Sequence, residues 1–199
     1  MNHLTSLAAI AVLAVSASTA SAQLTYSGGT SAPIVGYSAG PGAEQVDTTL
    51  FTTGIIDPTF LVGPHGFNVT VTFLGEEAGH LNRLDVGPLS VLNSDAKGTT
   101  YGSFMVPAGA LLSGTFTDLT SGVSTPLGGS GSGSASFAIL GVGGAYDYII
   151  GFNDSGRDSD YDDLVIGLKI SPVPEAGSLA LMFAGLATLG FVARRRRAD

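Results

Sequence analysis

The sequence predicts an all-β fold: an antiparallel β-sandwich of jelly-roll type, flanked by an N-terminal signal-peptide helix and a C-terminal transmembrane helix. Three observations predict it. Phe67, Val69, Val71 and Phe73 alternate with Asn68, Thr70 and Thr72, the period-two pattern of a half-buried strand. Shorter patterns of the same kind recur between turn-rich stretches, and 29 glycines with frequent Thr and Ser suit turns and strands rather than long helices. Long apolar runs stand at the two ends of the chain, outside the region of alternation.

Taken in order, Leu4 to Val15 is apolar and Thr19-Ala20-Ser21-Ala22 places small residues where a signal peptidase reads them. Residues 1–22 are therefore expected to be a signal peptide, cut before Gln23. Residues 23–44, rich in Gly, Ser, Ala and Pro, read as a flexible leader or a loosely attached first strand. The sandwich is expected over 45–172. It opens with a strand holding Val46, Leu50 and Phe51, and continues through Phe67–Leu74, Leu81–Val86, Thr100–Val106 and Leu111–Leu119. A turn-rich segment and a flexible Gly/Ser loop at Gly128–Ser134 follow. Strands resume at Phe137–Val142 and Tyr146–Phe152, and Leu164, Ile166, Leu168 and Ile170 line one face of the last one.

Composition narrows the function. Residues 23–172 carry four basic and fourteen acidic side chains, a net charge of −10. A domain this acidic repels nucleic acid. The chain has no cysteine, so an exported domain must rest on its core, on metal, or on both.

The C-terminal stretch has three parts: Val173-Pro174-Glu175, an uncharged apolar run from Leu179 to Ala193, and Arg194, Arg195, Arg196 and Arg197. Fifteen helical residues reach about 22 Å, short of a bilayer core of about 30 Å. Adding Ala176, Gly177 and Ser178 brings the run to the lower limit of a span, expected over 177–193. The arginines stay on the cytoplasmic side. This three-part order resembles the PEP-CTERM sorting signal of exported proteins in biofilm- and floc-forming Gram-negative bacteria. The resemblance covers residues 173–199. It implies recognition by a membrane exosortase, cleavage near Pro174-Glu175, and an inner-membrane anchor that is transient. One position departs from the pattern: Ala176 stands where a second proline is frequent.

The one constellation with distinctive chemistry runs from Asn153 to Asp163. Asp154, Asp158, Asp160, Asp162 and Asp163 put five carboxylates within ten residues, directly before an apolar strand. Such crowding needs a cation, Arg157 or backbone amides to offset the repulsion. Calcium takes six to eight oxygens from flexible loops, so these five aspartates are the candidate ligands for Ca2+. The spacing is not that of an EF-hand: counted from Asp158, the sixth position is Asp163 and the twelfth Lys169. The competing reading is an acid-rich bend whose side chains cap its own amides. Both stay open. The stretch Asp160-Tyr161-Asp162-Asp163 also resembles a signature closing many exported β-sandwich domains of unknown function. Likewise Leu74-Gly75-Glu76-Glu77-Ala78-Gly79 resembles a segment seen in proteins with this sorting tail.

Glu76, Glu77, His80 and Asp85 lie close in sequence, with His65 nearby, but neighbouring strand residues point to opposite faces and two histidines are too few for a three-histidine zinc site. No catalytic residues are assigned. The expectation is a non-enzymatic protein of the envelope or extracellular matrix, processed by signal peptidase and exosortase and associated with exopolysaccharide in biofilm or floc. The alternatives are a calcium-dependent carbohydrate-binding or adhesive module and, third, an enzyme acting on envelope polymers.

Overall fold

The alternation at Phe67–Gly75 becomes a nine-residue strand whose inward residues, Phe67, Val69, Val71 and Phe73, are fully buried. The computed structural model describes residues 24–34, 53–127, 135–154, 160–173 and 176–196. The expected strand around Val46–Phe51, the Gly/Ser loop at 128–134, the signal peptide, and Asp158 lie outside the described residues. The chain divides into two units, Ser21–Val173 and one containing Pro174–Asp199 with Met1–Ala20.

In the first unit the strands are β1 (Leu24–Ser27), β2 (Thr30–Pro33), β3 (Thr53–Ile56), β4 (Thr59–Val62), β5 (Phe67–Gly75), β6 (Asn82–Val86) and β7 (Leu89–Leu92). They continue as β8 (Thr100–Val106), β9 (Gly114–Asp118), β10 (Ser124–Leu127), β11 (Ser136–Val142), β12 (Tyr148–Asn153) and β13 (Leu164–Pro172). Every described pairing is antiparallel. A seven-stranded sheet has the order β2-β3-β11-β12-β13-β5-β8, a four-stranded sheet the order β10-β9-β6-β7, and β1 pairs with β4.

One apolar cluster draws on both larger sheets. From the seven-stranded sheet come the inward residues of β5, with Phe137, Ile150, Phe152, Ile166 and Leu168; from the four-stranded sheet come Leu84, Val86, Val91 and Phe116. Phe116 stacks on Phe152 with ring centroids 4.9 Å apart and planes within 6°, and on Phe137 at 6.1 Å. A smaller cluster, Ile34, Ala138, Leu140, Tyr161 and Val165, is formed by the alternate residues of β11 and β13 with two loop side chains. This explains why the last strands read as nearly continuous apolar runs: both of their faces are covered.

The described part of the expected leader is a pair of strands. Gly28 and Gly29, both at positive φ, turn the chain between β1 and β2, which pair with β4 and β3. Leu24 and Ile34 are buried, and the Tyr148 hydroxyl donates to the Leu24 carbonyl at 2.5 Å. So few apolar residues leave little periodicity to read. The turn-rich segment after Leu119 likewise holds β10, four residues long with a proline inside it. As an end strand of its sheet, β10 tolerates that missing donor.

The second unit contributes α1 (Ala176–Arg196), rich in the good helix formers Ala, Leu and Met. Met182, Phe183, Leu186, Leu189 and Phe191 are exposed on it, and the Arg195 guanidinium lies 5.1 Å from the Phe191 ring centroid. A helix thus occupies the expected 177–193. Among the described residues, however, no helix is long and apolar enough to cross a membrane.

Candidate functional site

The antiparallel pairing gathers chemistry at one end of the strands. Strands β5, β7, β9 and β12 finish there, at Gly75, Leu92, Asp118 and Asn153. Strands β6, β8 and β13 begin there, at Asn82, Thr100 and Leu164. The loops that follow or precede these residues carry His80, Glu77, Asn93 and the acidic segment. Hydrogen bonds between them tie the end of one sheet to the end of the other.

His80 is the hub. Its Nδ1 lies 2.8 Å from Asp118 Oδ2 and 3.7 Å from Asp154 Oδ2. The imidazole is partly exposed, 41% for its side chain, whereas both carboxylates are buried. Asp118 and Asp154 come from opposite sheets, so the three residues straddle the gap between them. The hydrogen bond donated to Asp118, followed by the charges of Asp118, Asp154 and Asp163, raises the His80 pKa. Burial alone would raise that of Asp118, but it is outweighed by hydrogen bonds from the Ser121 hydroxyl and amide, from His80 and from the Thr120 amide, and the carboxyl is held low. The Thr120 and Ser121 amides donate to Asp118 Oδ1 at 2.7 and 3.1 Å.

Two buried asparagines brace the same end. Asn82 Nδ2 donates to Asp154 Oδ2 at 2.8 Å and to the Asp163 carbonyl at 3.4 Å. Asn93 accepts from the Asn82 amide at 2.9 Å and donates to the His80 carbonyl at 2.8 Å. Asn82 is fully buried, and its Oδ1 has no hydrogen-bond partner among the described residues.

The acidic segment divides in two. Asp154 joins His80, and Asp163 turns back to accept from the Asp154 amide at 2.7 Å, so this part of the loop is capped by its own side chain. Asp160 and Asp162 are buried nearby, at 4% and 3% exposure. The Glu77 amide donates to the Asp162 carbonyl at 2.9 Å. Burial, then the charges of Asp160, Glu77 and Asp163, push the Asp162 carboxyl up to about 8. Crowding of buried carboxylates thus favours the protonated form of this group. Tyr161 between them, at φ 57°, turns its ring into the second apolar cluster and places its hydroxyl 3.1 Å from that of Ser136.

This arrangement has a pH signature. The unfolded chain gives up the Asp162 proton near 3.8, the folded chain only near 8. Stability is therefore full below 3.8 and declines as pH rises toward 8. Asp162→Asn, which cannot ionise, is expected to remove most of that decline and to stabilise the protein at pH 8.5 by on the order of 1–3 kcal/mol. Denaturation at pH 5 and pH 8.5 checks this. A wild-type stability that rises between those values would contradict the buried-charge account.

Of the five aspartates expected at a calcium site, the structure brings Asp160, Asp162 and Asp163 into mutual electrostatic contact and sends Asp154 toward His80. His80, Asp118, Asn82 and Asn93 escaped the sequence reading of this loop. Asp118 stands 38 positions from His80, and only strand pairing joins them. The residues grouped by closeness in sequence part company. Asp85 pairs with Arg83 at 2.8 Å, Glu76 accepts from the Ala78 amide at 2.6 Å, and Glu77 and His80 turn to Asp162 and Asp118. A cleft of about 390 Å³ lies elsewhere, lined by Gly87, Phe104, Met105, Val106 and Leu111 among others, and includes none of these acids.

The chain is thus an antiparallel β unit with an acidic, histidine-bearing end, followed by a helix and a run of arginines. Comparison with family models finds the PEP-CTERM protein-sorting motif at residues 172–197. The chain carries this motif, which implies export, exosortase processing and a precursor anchored transiently in the membrane. Neither a curated protein nor a solved structure matches the chain.

Proposed function

We propose that the mature protein is a non-enzymatic component of the cell envelope or extracellular matrix, associated with exopolysaccharide in biofilm or floc. Its β unit reads as a sandwich of jelly-roll type, and the span 177–193 as a transmembrane helix of the precursor only. The sorting motif at 172–197 carries this reading, because it gives the β unit a route to the surface and a means of release from the membrane. Asymmetry of charge supports it: the basic residues Arg194–Arg197 lie beyond the cut site, and the part that leaves is ten charges acidic.

A chain lacking residues 173–199 is expected to be secreted by the N-terminal signal and to miss the envelope and matrix fractions. Cell fractionation of strains with and without the tail makes the comparison. Unchanged surface location after deletion would sink the sorting claim.

A second reading, a calcium-dependent carbohydrate-binding or adhesive module, is favoured by one observation: Asp160 and Asp162 bury two carboxyl groups beside Glu77. Calcium there would replace the Asp162 proton. Millimolar calcium would then abolish the loss of stability toward pH 8 in the wild type and do nothing for Asp162→Asn. No calcium uptake in calorimetry would remove this reading and leave the first in place. A third, an enzyme acting on envelope polymers, would need Glu76, Glu77 and His80 around one point. Their bonds run instead to Ala78, Asp162 and Asp118.

A further inference from the structure

We propose that His80, Asp118 and Asp154 form a divalent-metal site of the zinc class, clasping the ends of the two sheets. His80 Nδ1 and one carboxylate oxygen from each aspartate all lie within 4.8 Å of one another. Ligands held at about 2.0–2.2 Å in a tetrahedron stand about 3.3–3.5 Å apart. The observed separations from His80, 2.8 Å to Asp118 and 3.7 Å to Asp154, fall on either side of that value.

The donor set selects the metal. One imidazole nitrogen with two carboxylate oxygens suits zinc, nickel or copper, whereas calcium prefers an all-oxygen cage of six or more ligands. Three protein ligands leave a position for water, and the partly exposed His80 marks the way in.

The surrounding shell is built as metal sites require. The Ser121 hydroxyl and the Thr120 and Ser121 amides orient Asp118, and Asn82 Nδ2 orients Asp154. Asn82 supplies an independent pointer to a ligand. Its carboxamide is wholly buried with Nδ2 on Asp154, yet its Oδ1 receives no hydrogen bond among the described residues. A buried acceptor without a donor is costly, and a bound water is the kind of donor it lacks. The second orphan, Thr125 Oγ1, lies in β10.

Of the five aspartates in the calcium reading this site takes only Asp154, and it leaves Asp160 and Asp162 aside. The test uses the full chain in mild detergent, stripped with chelator and titrated with zinc chloride, cobalt chloride or calcium chloride. One zinc per chain is expected, with a rise in melting temperature of about 5–10 °C at a hundredfold excess over the dissociation constant. Cobalt should give the intense visible bands of a four-coordinate N/O site. His80→Gln, at a partly exposed position, should fold, and it should lose both effects along with at least a tenfold drop in zinc affinity. Asp154→Asn should lose them as well, while Asp160→Asn and Asp162→Asn keep them. Absence of zinc uptake at 100 µM (about the weakest affinity a built site would show), or uptake unchanged in a folded His80→Gln, would overturn the proposal. So would calcium displacing the zinc at equal concentration.

Discussion

Replacing Phe116 with alanine is expected to destabilise the β unit by about 3–5 kcal/mol, the range for deleting a buried phenylalanine. The size follows from where the ring sits. Phe116 is the fully buried aromatic of the four-stranded sheet that stacks on both Phe137 and Phe152 of the larger sheet. Phe60 also stacks on Phe137, with ring centroids 6.5 Å apart. Truncation therefore opens a cavity in the shared core and removes stacking beyond simple area burial. Small domains hold only about 5–15 kcal/mol in total, so the loss takes a large part of it. Denaturant titration of wild type and variant reads the difference. Met105→Ala and Leu111→Ala, at residues 60% and 57% exposed, serve as controls and should change stability by about 0.5 kcal/mol or less. A Phe116→Ala loss below 1 kcal/mol would mean that the two sheets do not share this core.

Gly151→Ala is expected to be nearly as damaging, about 3 kcal/mol, for the opposite reason: overfilling. A Cβ at residue 151 would sit 2.0 Å from the Tyr161 carbonyl oxygen and 2.8 Å from Leu140 Cδ1. The carbonyl has little freedom to retreat. Its residue is fixed by the ring in the second apolar cluster, and the next residue is bonded to the Glu77 amide. Gly151 lies in the middle of β12, paired with Ala138 on one side and Val165 on the other. The added methyl must therefore lift the segment 160–163 from the sheet. Hydrogen exchange should show the Glu77 amide losing protection along with the drop in stability. Full protection at Glu77 in a folded variant would contradict the packing described. The same displacement should erase the unusual titration of Asp162, which depends on burial beside Glu77.

The strongest strands were legible because one physical cause, a buried face, wrote the sequence. Thr100–Val106 is β8 residue for residue, and the alternation at Phe67–Phe73 and Leu164–Ile170 lies on β5 and β13. Strands β1, β2, β4, β7 and β10 are four residues long and gave little periodicity, so pairing rather than pattern defines them. The acidic end was half legible. Its carboxylates are adjacent in sequence, but their partners are not: His80, Asn82, Asn93 and Asp118 arrive through three separate connections, and no spacing rule links them. Nor could local sequence tell that Asp162 would be buried and Asp154 turned the other way. The sorting tail was legible outright, since it is a linear signal read before folding matters.

The central claim is that the tail is a passing anchor and the acidic β unit the product. Intact-mass measurement of the protein from its native cell surface tests this most directly. The account predicts a chain that begins at Gln23 and ends near Pro174-Glu175, without α1 and without Arg194–Arg197, with any excess mass located at the new C-terminus. A surface protein whose mass still includes the helix and its four arginines would contradict it.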